Sequence, residues 1–425
     1  EDHGNYSVAH IVEIIESSPV RVAPVCPFAT TCGGCGWQHI AYEAQCTAKR
    51  TLVLDALERI AHVATIRTEC LVASCTPAPS PLNYRNKLEL GAAMDPKRGF
   101  TLGFYRAESM CIATPERCLL AHEAIVAAPR ALRGALRYAQ GDADLGIYRV
   151  GMRHSERSGS LELALWTEPG IVANFPRARV AQVVGDALKT TSIVRIVAAH
   201  DKMRDVRKVE VLAGRGYWEE QLGDMRFATS APSFFQVNTA QAERLISLVM
   251  KLLSEQDSSS LENMRIVDLY AGGGTFSLPL AAAGAEVVAV ESAGSSVRDL
   301  RRNAERNCLN VEIVGGDAER ELSALIHCGF GDADTCGPGR SHGSPDALVV
   351  DPPRAGLTKG AVAAIVQAAP RKLVYVSCNP ATWARDVARF EQAGYRLQQA
   401  HPVDLFPQTP HVEVVSLFTP QEHIA

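Results

Sequence analysis

The chain carries two different patterns of hydrophobic and polar positions. From about Asn83 to Val237, short runs such as KLELGAAM and FTLGFYR alternate between apolar and polar residues and are separated by Gly, Asp and Pro, which predicts a mostly antiparallel sheet with one or two helices. After residue 260, continuous apolar runs such as RIVDLYA and KLVYVSC alternate with Ala-rich helical stretches, as is typical of buried parallel strands. The pattern therefore predicts an α/β chain with a doubly wound carboxyl-terminal domain and a mostly antiparallel central β domain.

The segments nearer the amino terminus predict one strand and one helix. HIVEIIESSPVRVAPVCP, residues 10–27, has the character of a short strand that runs into a Pro-rich connection. In YEAQCTAKRTLVLDALERIAHV the apolar positions recur at helical spacing, which predicts a helix over about 43–62 that we expect to pack on the carboxyl-terminal domain. On these patterns the chain divides into residues 1–25, 26–235 and 236–425.

Composition and charge restrict the cellular compartment and the binding partners of the protein. The chain has 425 residues, and 43 Lys and Arg against 47 Asp and Glu give a net charge of −4, so an RNA partner requires a local basic patch. No apolar run approaches the roughly 18 residues of a membrane span. Twelve cysteines without a secretory segment indicate a reducing compartment, where thiols serve metals or catalysis. We therefore expect a cytoplasmic protein with no membrane association, and we predict no obligate protein partner.

A glycine turn and a series of acidic residues predict a cofactor site. IVDLYAGGGTFSLPLA, residues 266–281, is a strand, a glycine turn and a helix, but Ser277 replaces the third glycine of the dinucleotide fingerprint. Glu291, Asp317 and Asp351 each follow a predicted parallel strand, so they face one crevice. Any one of them could instead cap a turn or helix. Together they suit S-adenosylmethionine, which presents a ribose and an amino group but no phosphate.

A cysteine at the end of the next strand is a candidate nucleophile. In VYVSCNPATWARD, residues 374–386, the apolar run ends at Cys378 and an Asn-Pro turn. A cysteine in such a place is more often a small buried hydrophobe, but here the strand order opens it onto the same crevice. A thiolate that adds to C6 of a pyrimidine makes C5 able to attack a methyl sulfonium. The C5 proton must then pass to a base, for which FPQTPHVEVVSLF offers Glu413, with His411 as the alternative.

A cysteine cluster predicts a metal site. Cys26, Cys32 and Cys35 have the spacing C-x5-C-x2-C, and either Cys118 or Cys111 offers a fourth ligand. Thiolates at this density bind zinc or an iron-sulfur cluster. The spacing alone does not choose between the two.

Four motifs together resemble one family. SCNPATWARD, VVDPPRAGL, SFFQVNTAQAERL (233–245) and FPQTPHVE are similar, in this order, to the RNA uracil-5-methyltransferases that act on ribosomal RNA and to their transfer-RNA relatives. The resemblance implies a class I, Rossmann-like methyltransferase domain over 236–425, with Cys378 as nucleophile and Glu413 as base. Thr275 stands where the family usually has Asn. The cofactor-side residues that the resemblance implies, with Thr275 as the departure, are Gln236, Tyr270, Thr275, Glu291, Asp317 and Asp351.

The resemblance also carries expectations for the rest of the chain. The ribosomal-RNA branch has a 4Fe-4S cluster on this cysteine spacing, with the fourth ligand at a position like Cys118, in a central RNA-binding domain that here spans 26–235. Residues 1–25 would be the remnant of an amino-terminal β-barrel RNA-binding domain. The spacing differs from that of radical enzymes, so we do not expect radical chemistry.

The predicted activity is formation of 5-methyluridine in 23S ribosomal RNA. The same chemistry on transfer RNA is the first alternative, although the family's transfer-RNA enzymes lack the cysteine cluster. A non-catalytic RNA-binding protein is the second, and a cytosine-5 methyltransferase the third, although VVDPPRAG lacks the second motif cysteine of those enzymes. The candidate RNA contacts, each of which could equally be a core aromatic or a solvated charge, are Arg85, Lys87, Lys97, Arg98, Arg149, Arg153, Arg157, Phe234 and Phe235.

Overall fold

The computed structural model describes residues 4, 9, 11–95, 99–141, 144–169, 175–200, 204–254, 261–328 and 344–421. The candidate RNA contacts Lys97 and Arg98 lie outside the described residues. Across the ranges that are described, no helix is both long enough and apolar enough to cross a membrane.

The amino-terminal segment departs from its prediction. Residues 11–20 form no strand, so the prediction of a short strand at the start of the segment 10–27 is wrong. Val12 and Ile15 are 98% and 96% exposed, and an apolar run forms a strand only where a neighbouring strand bonds its backbone. Arg21 makes an isolated bridge with Ile40. Two helices follow, α1 (Tyr42–Arg59) and α2 (Thr65–Leu71).

A seven-stranded sheet forms the middle of the chain. Its strands are β1 (Lys87–Asp95), β2 (Gly99–Tyr105), β3 (Ile112–Ala113), β4 (Ile147–His154), β5 (Leu161–Thr167), β6 (Ser192–Ala198) and β7 (Val206–Gly214). They lie in the order β3-β2-β1-β4-β5-β6-β7, and only β5 and β6 pair in parallel. Helices α3 (Ala128–Gln140) and α4 (Arg177–Leu188) pack against the sheet through apolar side chains such as Leu132 and Val180. The sheet agrees with the mostly antiparallel pattern of this region.

A hairpin and a helix connect the two sheets. The hairpin pairs β8 (Trp218–Leu222) with β9 (Met225–Thr229), and α5 (Thr239–Ser254) follows. Trp218 and Phe227 lie in the same buried cluster as Leu245 of α5 and Val376 of the second sheet.

The second sheet is doubly wound. Its strands are β10 (Arg265–Leu269), β11 (Glu286–Glu291), β12 (Glu312–Gly315), β13 (Ala347–Val350), β14 (Lys372–Ser377), β15 (Tyr395–Val403) and β16 (Glu413–Pro420). The order is β12-β11-β10-β13-β14-β16-β15, parallel from β12 to β14, with β16 antiparallel to both of its neighbours. The remaining helices are α6 (Ser277–Ala282), α7 (Gly294–Arg306), α8 (Ala318–Cys328), α9 (Lys359–Ala368) and α10 (Pro380–Gln392).

Helix α1 belongs to the core of this second sheet. Val53 and Leu57 of α1 are fully buried in one cluster with Tyr375 of β14 and Trp383 of α10. The amino-terminal part of the chain therefore covers one face of the parallel sheet. The domain divisions at 25/26 and 235/236 remain predictions.

Candidate active site

The carboxyl edge of the parallel strands gathers the predicted site residues. Tyr270 follows β10, Glu291 ends β11, Asp351 follows β13 and Cys378 follows β14. Because β16 runs in the opposite direction, its first residue lies at the same edge. Ser377 pairs with Val414, so the next residues, Cys378 and Glu413, lie opposite each other.

The pKa of the Cys378 thiol is affected by the charge of Glu413, as expected for neighbouring groups. Burial, followed by the charges of Glu413 and Asp351, raises the pKa of the Cys378 thiol to about 11. Burial and the Asp351 charge raise the pKa of Glu413 to about 8. The pKa of Asp351 is itself raised to about 7 by burial and by Asp268. A thiol beside a buried carboxyl with a high proton affinity has the chemistry of a nucleophile and a base.

Arg354 is a member of the site that the sequence analysis missed. Its positive charge lowers the pKa values of Cys378 and Glu413, against the larger effect of burial. Its carbonyl oxygen accepts hydrogen bonds from Asn379 Nδ2 at 3.2 Å and Thr382 Oγ1 at 3.1 Å. The signal was a basic residue three positions after Asp351 in the quoted VVDPPRAGL motif.

The Asn-Pro turn after the thiol starts a helix. Asn379 Oδ1 accepts a hydrogen bond from Ala381 N at 3.1 Å, and Pro380 is the first residue of α10. These are the favoured residues for a helix N-cap and first turn. The turn thereby ends β14 at the point where Cys378 reaches the edge of the sheet.

Cys378 opens into a pocket of about 370 Å³. The pocket lies between α1, which contributes Leu52 and Ala56, and the loop that carries His411. Burial, and then the charges of Arg354, Lys49 and Arg85, lower the pKa of His411, so its imidazole is neutral at pH 7. His411 therefore stays an alternative base.

The glycine turn lies over a buried carboxyl. Asp268 of β10 accepts a hydrogen bond from Ser277 Oγ at 2.5 Å, and its other oxygen has no hydrogen-bond partner among the described residues. Gly274 has φ +94°, and a Cβ there would lie 2.5 Å from Leu300 Cδ1, so this position requires glycine. Glu291 accepts hydrogen bonds from Gly272 N at 2.9 Å and Ala293 N at 2.6 Å. The turn is therefore tied to β11.

The remaining cofactor-side residues surround this turn. Burial, then the charges of Asp317, Glu319 and Asp386, raise the pKa of Tyr270 to about 12, so Tyr270 and Asp317 are near each other. Asp317 is exposed and accepts a hydrogen bond from Arg320 N at 3.1 Å, the geometry of a helix cap.

Gln236 and Thr275 each adjoin a member of one buried cluster. Gln236 is 5% exposed, and its carbonyl accepts a hydrogen bond from Asn86 Nδ2 at 3.0 Å. Its neighbour Phe235 packs in the same cluster as Phe276, which follows Thr275. Thr275 is half-buried in the turn.

The four cysteines of the predicted metal site interact electrostatically. Cys26, Cys32 and Cys35 share a loop, and each interacts electrostatically with at least one of the others or with Cys118. Burial is the main cause that raises the pKa of Cys35 to about 11. Gln38 lowers this pKa, whereas the charges of Cys118 and Cys32 raise it further. In the described part of the chain, no three His, Cys, Asp or Glu side chains are arranged to hold a single metal ion.

Two of the candidate RNA contacts are buried residues that pack or hydrogen-bond within the protein. Phe235 is 4% exposed and contacts Trp218. Arg153 is buried and donates to Ser230 O at 3.0 Å and to Ser233 O. These two candidates are therefore wrong, because both side chains hold the loop after β9 in place. Phe234 is 64% exposed.

The other basic candidates have protein partners. Lys87 lies 3.6 Å and Arg149 3.3 Å from the carboxylate of Glu89. Arg157 donates to Glu243 at 2.8 Å, and Arg85 to the hydroxyl of Tyr84 at 3.3 Å. Their roles in RNA binding stay predictions.

Comparison with known proteins identifies the family. A family model described as tRNA (Uracil-5-)-methyltransferase matches residues 206–420. A sequence described as an uncharacterized RNA methyltransferase of Thermosynechococcus vestitus is 33% identical over 97% of this chain and 88% of its own length. The chain belongs to the RNA uracil-5-methyltransferase family. A second such relative, from Chlorobaculum tepidum, is 31% identical over 97% of this chain and 86% of its own length.

A solved structure agrees with this assignment. The Pyrococcus abyssi tRNA (uracil-54, C5)-methyltransferase, crystallised with S-adenosyl-L-homocysteine, superposes with a TM-score of 0.69 and 25% sequence identity. The match covers 96% of this chain and 88% of that one. The predicted α/β methyltransferase fold and the predicted class of S-adenosylmethionine-dependent RNA methyltransferase are confirmed. The 23S target and the 4Fe-4S cluster stay predictions, as does the cytoplasmic location.

Proposed function

We propose that this methyltransferase makes 5-methyluridine in RNA through a covalent adduct between Cys378 and C6 of the target uracil. The observation that carries the proposal is the register of β14 and β16, in which Cys378 lies opposite Glu413. The positive charge of Arg354 lowers the pKa of Cys378 and so favours its thiolate.

The proposed steps assign one task to each residue. Addition of the Cys378 thiolate to C6 moves the C5–C6 π electrons toward O4, which makes C5 nucleophilic. S-adenosylmethionine, when bound, would supply an electrophilic methyl group, whose bond to sulfur would break, with release of S-adenosylhomocysteine, as its bond to C5 formed. Glu413 then removes the C5 proton, the C5–C6 double bond forms again, and the Cys378 thiolate leaves.

The carboxyls around the glycine turn fit a cationic cofactor. Asp268, Asp351 and Tyr270 each have a pKa raised by burial and by neighbouring acidic groups. A ligand with an ammonium and a sulfonium group relieves this repulsion, whereas a phosphate would increase it. The residues that would hold S-adenosylmethionine are Gln236, Tyr270, Thr275, Glu291, Asp317 and Asp351.

For the substrate, we propose 23S ribosomal RNA, with transfer RNA as the second candidate. The cysteine set supports ribosomal RNA through the family resemblance stated above. Similarity to a tRNA (uracil-54, C5)-methyltransferase favours transfer RNA.

We also propose that Cys26, Cys32, Cys35 and Cys118 hold a 4Fe-4S cluster. The four thiols interact electrostatically, although no group among the described residues is arranged for one ion. A four-iron core lies between its thiolates and keeps them further apart than a single zinc ion does. Anaerobically purified protein should absorb near ~400 nm and contain iron and sulfide. Zinc without sulfide would contradict the proposal.

The adduct is tested with RNA that contains 5-fluorouridine. The protein is incubated with S-adenosylmethionine and substituted ribosomal or transfer RNA, and a covalent species is sought on a denaturing gel and by peptide mass spectrometry. Fluorine cannot leave as a proton does, so we expect a trapped adduct at Cys378, and none with Cys378→Ala. If neither RNA forms an adduct although the cofactor binds, the covalent mechanism is wrong and the RNA-binding alternative is favoured.

A further inference from the structure

A nine-residue loop, 404–412, joins the two strands that end near the site. Val403 of β15 pairs with Glu413 of β16, so these residues form the base of the loop. His411 in the loop lines the pocket beside Cys378. The position of Glu413 therefore depends on how this loop is held.

A buried lysine from α1 holds the first half of the loop. Lys49 is fully buried, and its ammonium forms an ion pair with the carboxylate of Asp404, which is also fully buried. The same ammonium donates to the carbonyl oxygen of Phe406 at 3.0 Å. Tyr42 donates from its hydroxyl to the other oxygen of Asp404 at 2.9 Å.

A glutamine one turn earlier on α1 holds the middle of the loop. Gln45 Nε2 donates to Gln408 Oε1 at 3.0 Å, and Gln45 Oε1 accepts from Gln408 N at 3.0 Å. Gln408 has a φ of +69°, which is costly outside glycine, so this pair maintains a strained turn. Trp37 N also donates to Gln408 O at 3.0 Å.

The same face of α1 continues into the pocket. Residues 45, 49, 52 and 56 lie at helical spacing on one side of the helix. Gln45 and Lys49 bind the loop, whereas Leu52 and Ala56 line the pocket around Cys378. One rigid helix thus sets both the wall of the pocket and the loop that ends at Glu413.

We propose that Lys49 is a positioning residue for the proton-abstraction step: it fixes the loop 404–412 so that Glu413 reaches C5 of the adduct. This inference rests on the proposed function. Only the last chemical step uses the base, so loss of Lys49 should spare addition and methyl transfer and slow proton removal. The methylated adduct should then accumulate.

The test uses Lys49→Met with Arg59→Met as matched control. Arg59 is a cation on the same helix, and its side chain is 78% exposed. The variants are incubated with S-adenosylmethionine and ordinary uridine RNA. We expect turnover of Lys49→Met to fall about 10²-fold, the usual effect of a displaced catalytic group, and a covalent RNA-protein species to appear that wild type and Arg59→Met do not show.

A double variant separates positioning from stability. Lys49→Met leaves Asp404 as an unpaired buried charge, which destabilises a protein, and Lys49→Met/Asp404→Asn removes that charge without restoring the bond to Phe406 O. The positioning role predicts that the double variant regains thermal stability but still accumulates adduct. Recovery of normal turnover in the double variant would overturn the proposal, as would joint loss of adduct and turnover in Lys49→Met.

Trapping with 5-fluorouridine RNA distinguishes this proposal from the proposed function. If wild type forms no fluorouridine adduct, the covalent mechanism itself has failed. If wild type forms it, and Lys49→Met turns over ordinary RNA as fast as Arg59→Met does, only the positioning role of Lys49 is wrong.

Discussion

At the scale of single residues, the site places the Cys378 thiol where burial and the neighbouring carboxyls oppose its ionisation. Glu413 and Asp351 both raise the pKa of Cys378, and Arg354 acts in the opposite direction. A buried carboxyl with a pKa near 8 is a stronger base than an exposed one. The same burial that disfavours its charge therefore suits it to remove the C5 proton.

Replacing the proposed base should trap the reaction. Glu413→Gln keeps the size of the side chain but has no oxygen basic enough to take the proton. We expect turnover to fall about 10²–10⁴-fold, the usual contribution of a general base, with a methylated covalent adduct on ordinary uridine RNA. Glu312→Gln, at an exposed strand start, is the control. Loss of the adduct together with turnover in Glu413→Gln would assign Glu413 to an earlier step.

The pH dependence follows from the same pKa values. Glu413 must be deprotonated to act and Cys378 must be a thiolate, and their pKa values are about 8 and about 11. We therefore expect kcat/KM to rise as pH increases from 6 to 9. Arg354→Gln removes a charge that lowers both pKa values, so this rise should move to higher pH.

Steady-state kinetics across this range measure the effect. Arg396→Gln, on an exposed position of β15, should leave the profile unchanged. A profile of wild type that is flat or falls between pH 6 and 9 would mean that neither ionisation limits the reaction.

At the scale of secondary-structure elements, a carboxylate of α10 holds the loop that carries Asp351 and Arg354 by a hydrogen bond. Asp386 of α10 is fully buried and accepts hydrogen bonds from Leu357 N at 2.9 Å and from the hydroxyl of Tyr375 at 3.0 Å. It also pairs with Arg389 at 2.9 Å. One carboxylate thus joins a loop, a strand and a helix beneath the site.

Removing this carboxylate should destabilise the protein strongly. Asp386→Ala leaves the buried Leu357 N–H and the Tyr375 hydroxyl without their acceptor, and each unsatisfied buried donor costs about 1–3 kcal/mol in unfolding free energy. Glu391→Gln, which breaks a partly exposed pair with Arg67 near the end of the same helix, should cost less than about 1 kcal/mol. Chemical denaturation of both variants compares them, and equal losses would contradict the structural role of Asp386.

At the scale of the whole molecule, the cysteine loop and the catalytic end of the second sheet are joined directly. Trp37, two residues after Cys35, donates from its backbone to Gln408 O at 3.0 Å, and the hydroxyl of Tyr84 donates to Pro407 O at 3.1 Å. The next residue, Arg85, interacts electrostatically with Cys35 and with His411. A change in the conformation of the cysteine loop should therefore change the conformation of the loop that ends at Glu413.

Loss of a ligand of the proposed cluster should loosen both regions. Cluster binding contributes free energy to the folded state, so Cys118→Ser should lower the melting temperature and speed hydrogen exchange around Trp37 and residues 404–412. Cys111 is exposed, and Cys111→Ser is the control. Faster exchange confined to the cysteine loop would show that the two regions are independent.

The sequence by itself determined the strand types and most of the crevice. Continuous apolar runs identified parallel strands, and the carboxyl ends of parallel strands meet at one edge, so Glu291, Asp351 and Cys378 were expected together. The sequence offered both Glu413 and His411 as the base for Cys378, and family resemblance favoured Glu413. The geometry of this pair depends on the insertion of β16 between β14 and β15.

Only the tertiary structure revealed the partners of several side chains. It showed that Cys118 interacts electrostatically with the cysteine loop, that Phe235 and Arg153 are buried, that Arg354 affects the pKa of Cys378, and that Lys49 pairs with Asp404. The physical reason is that a hydrophobic pattern records the period and burial of one segment, whereas contacts between distant segments depend on packing and register. A charged residue such as Lys49 shows no sign of burial until its partner Asp404 is brought beside it.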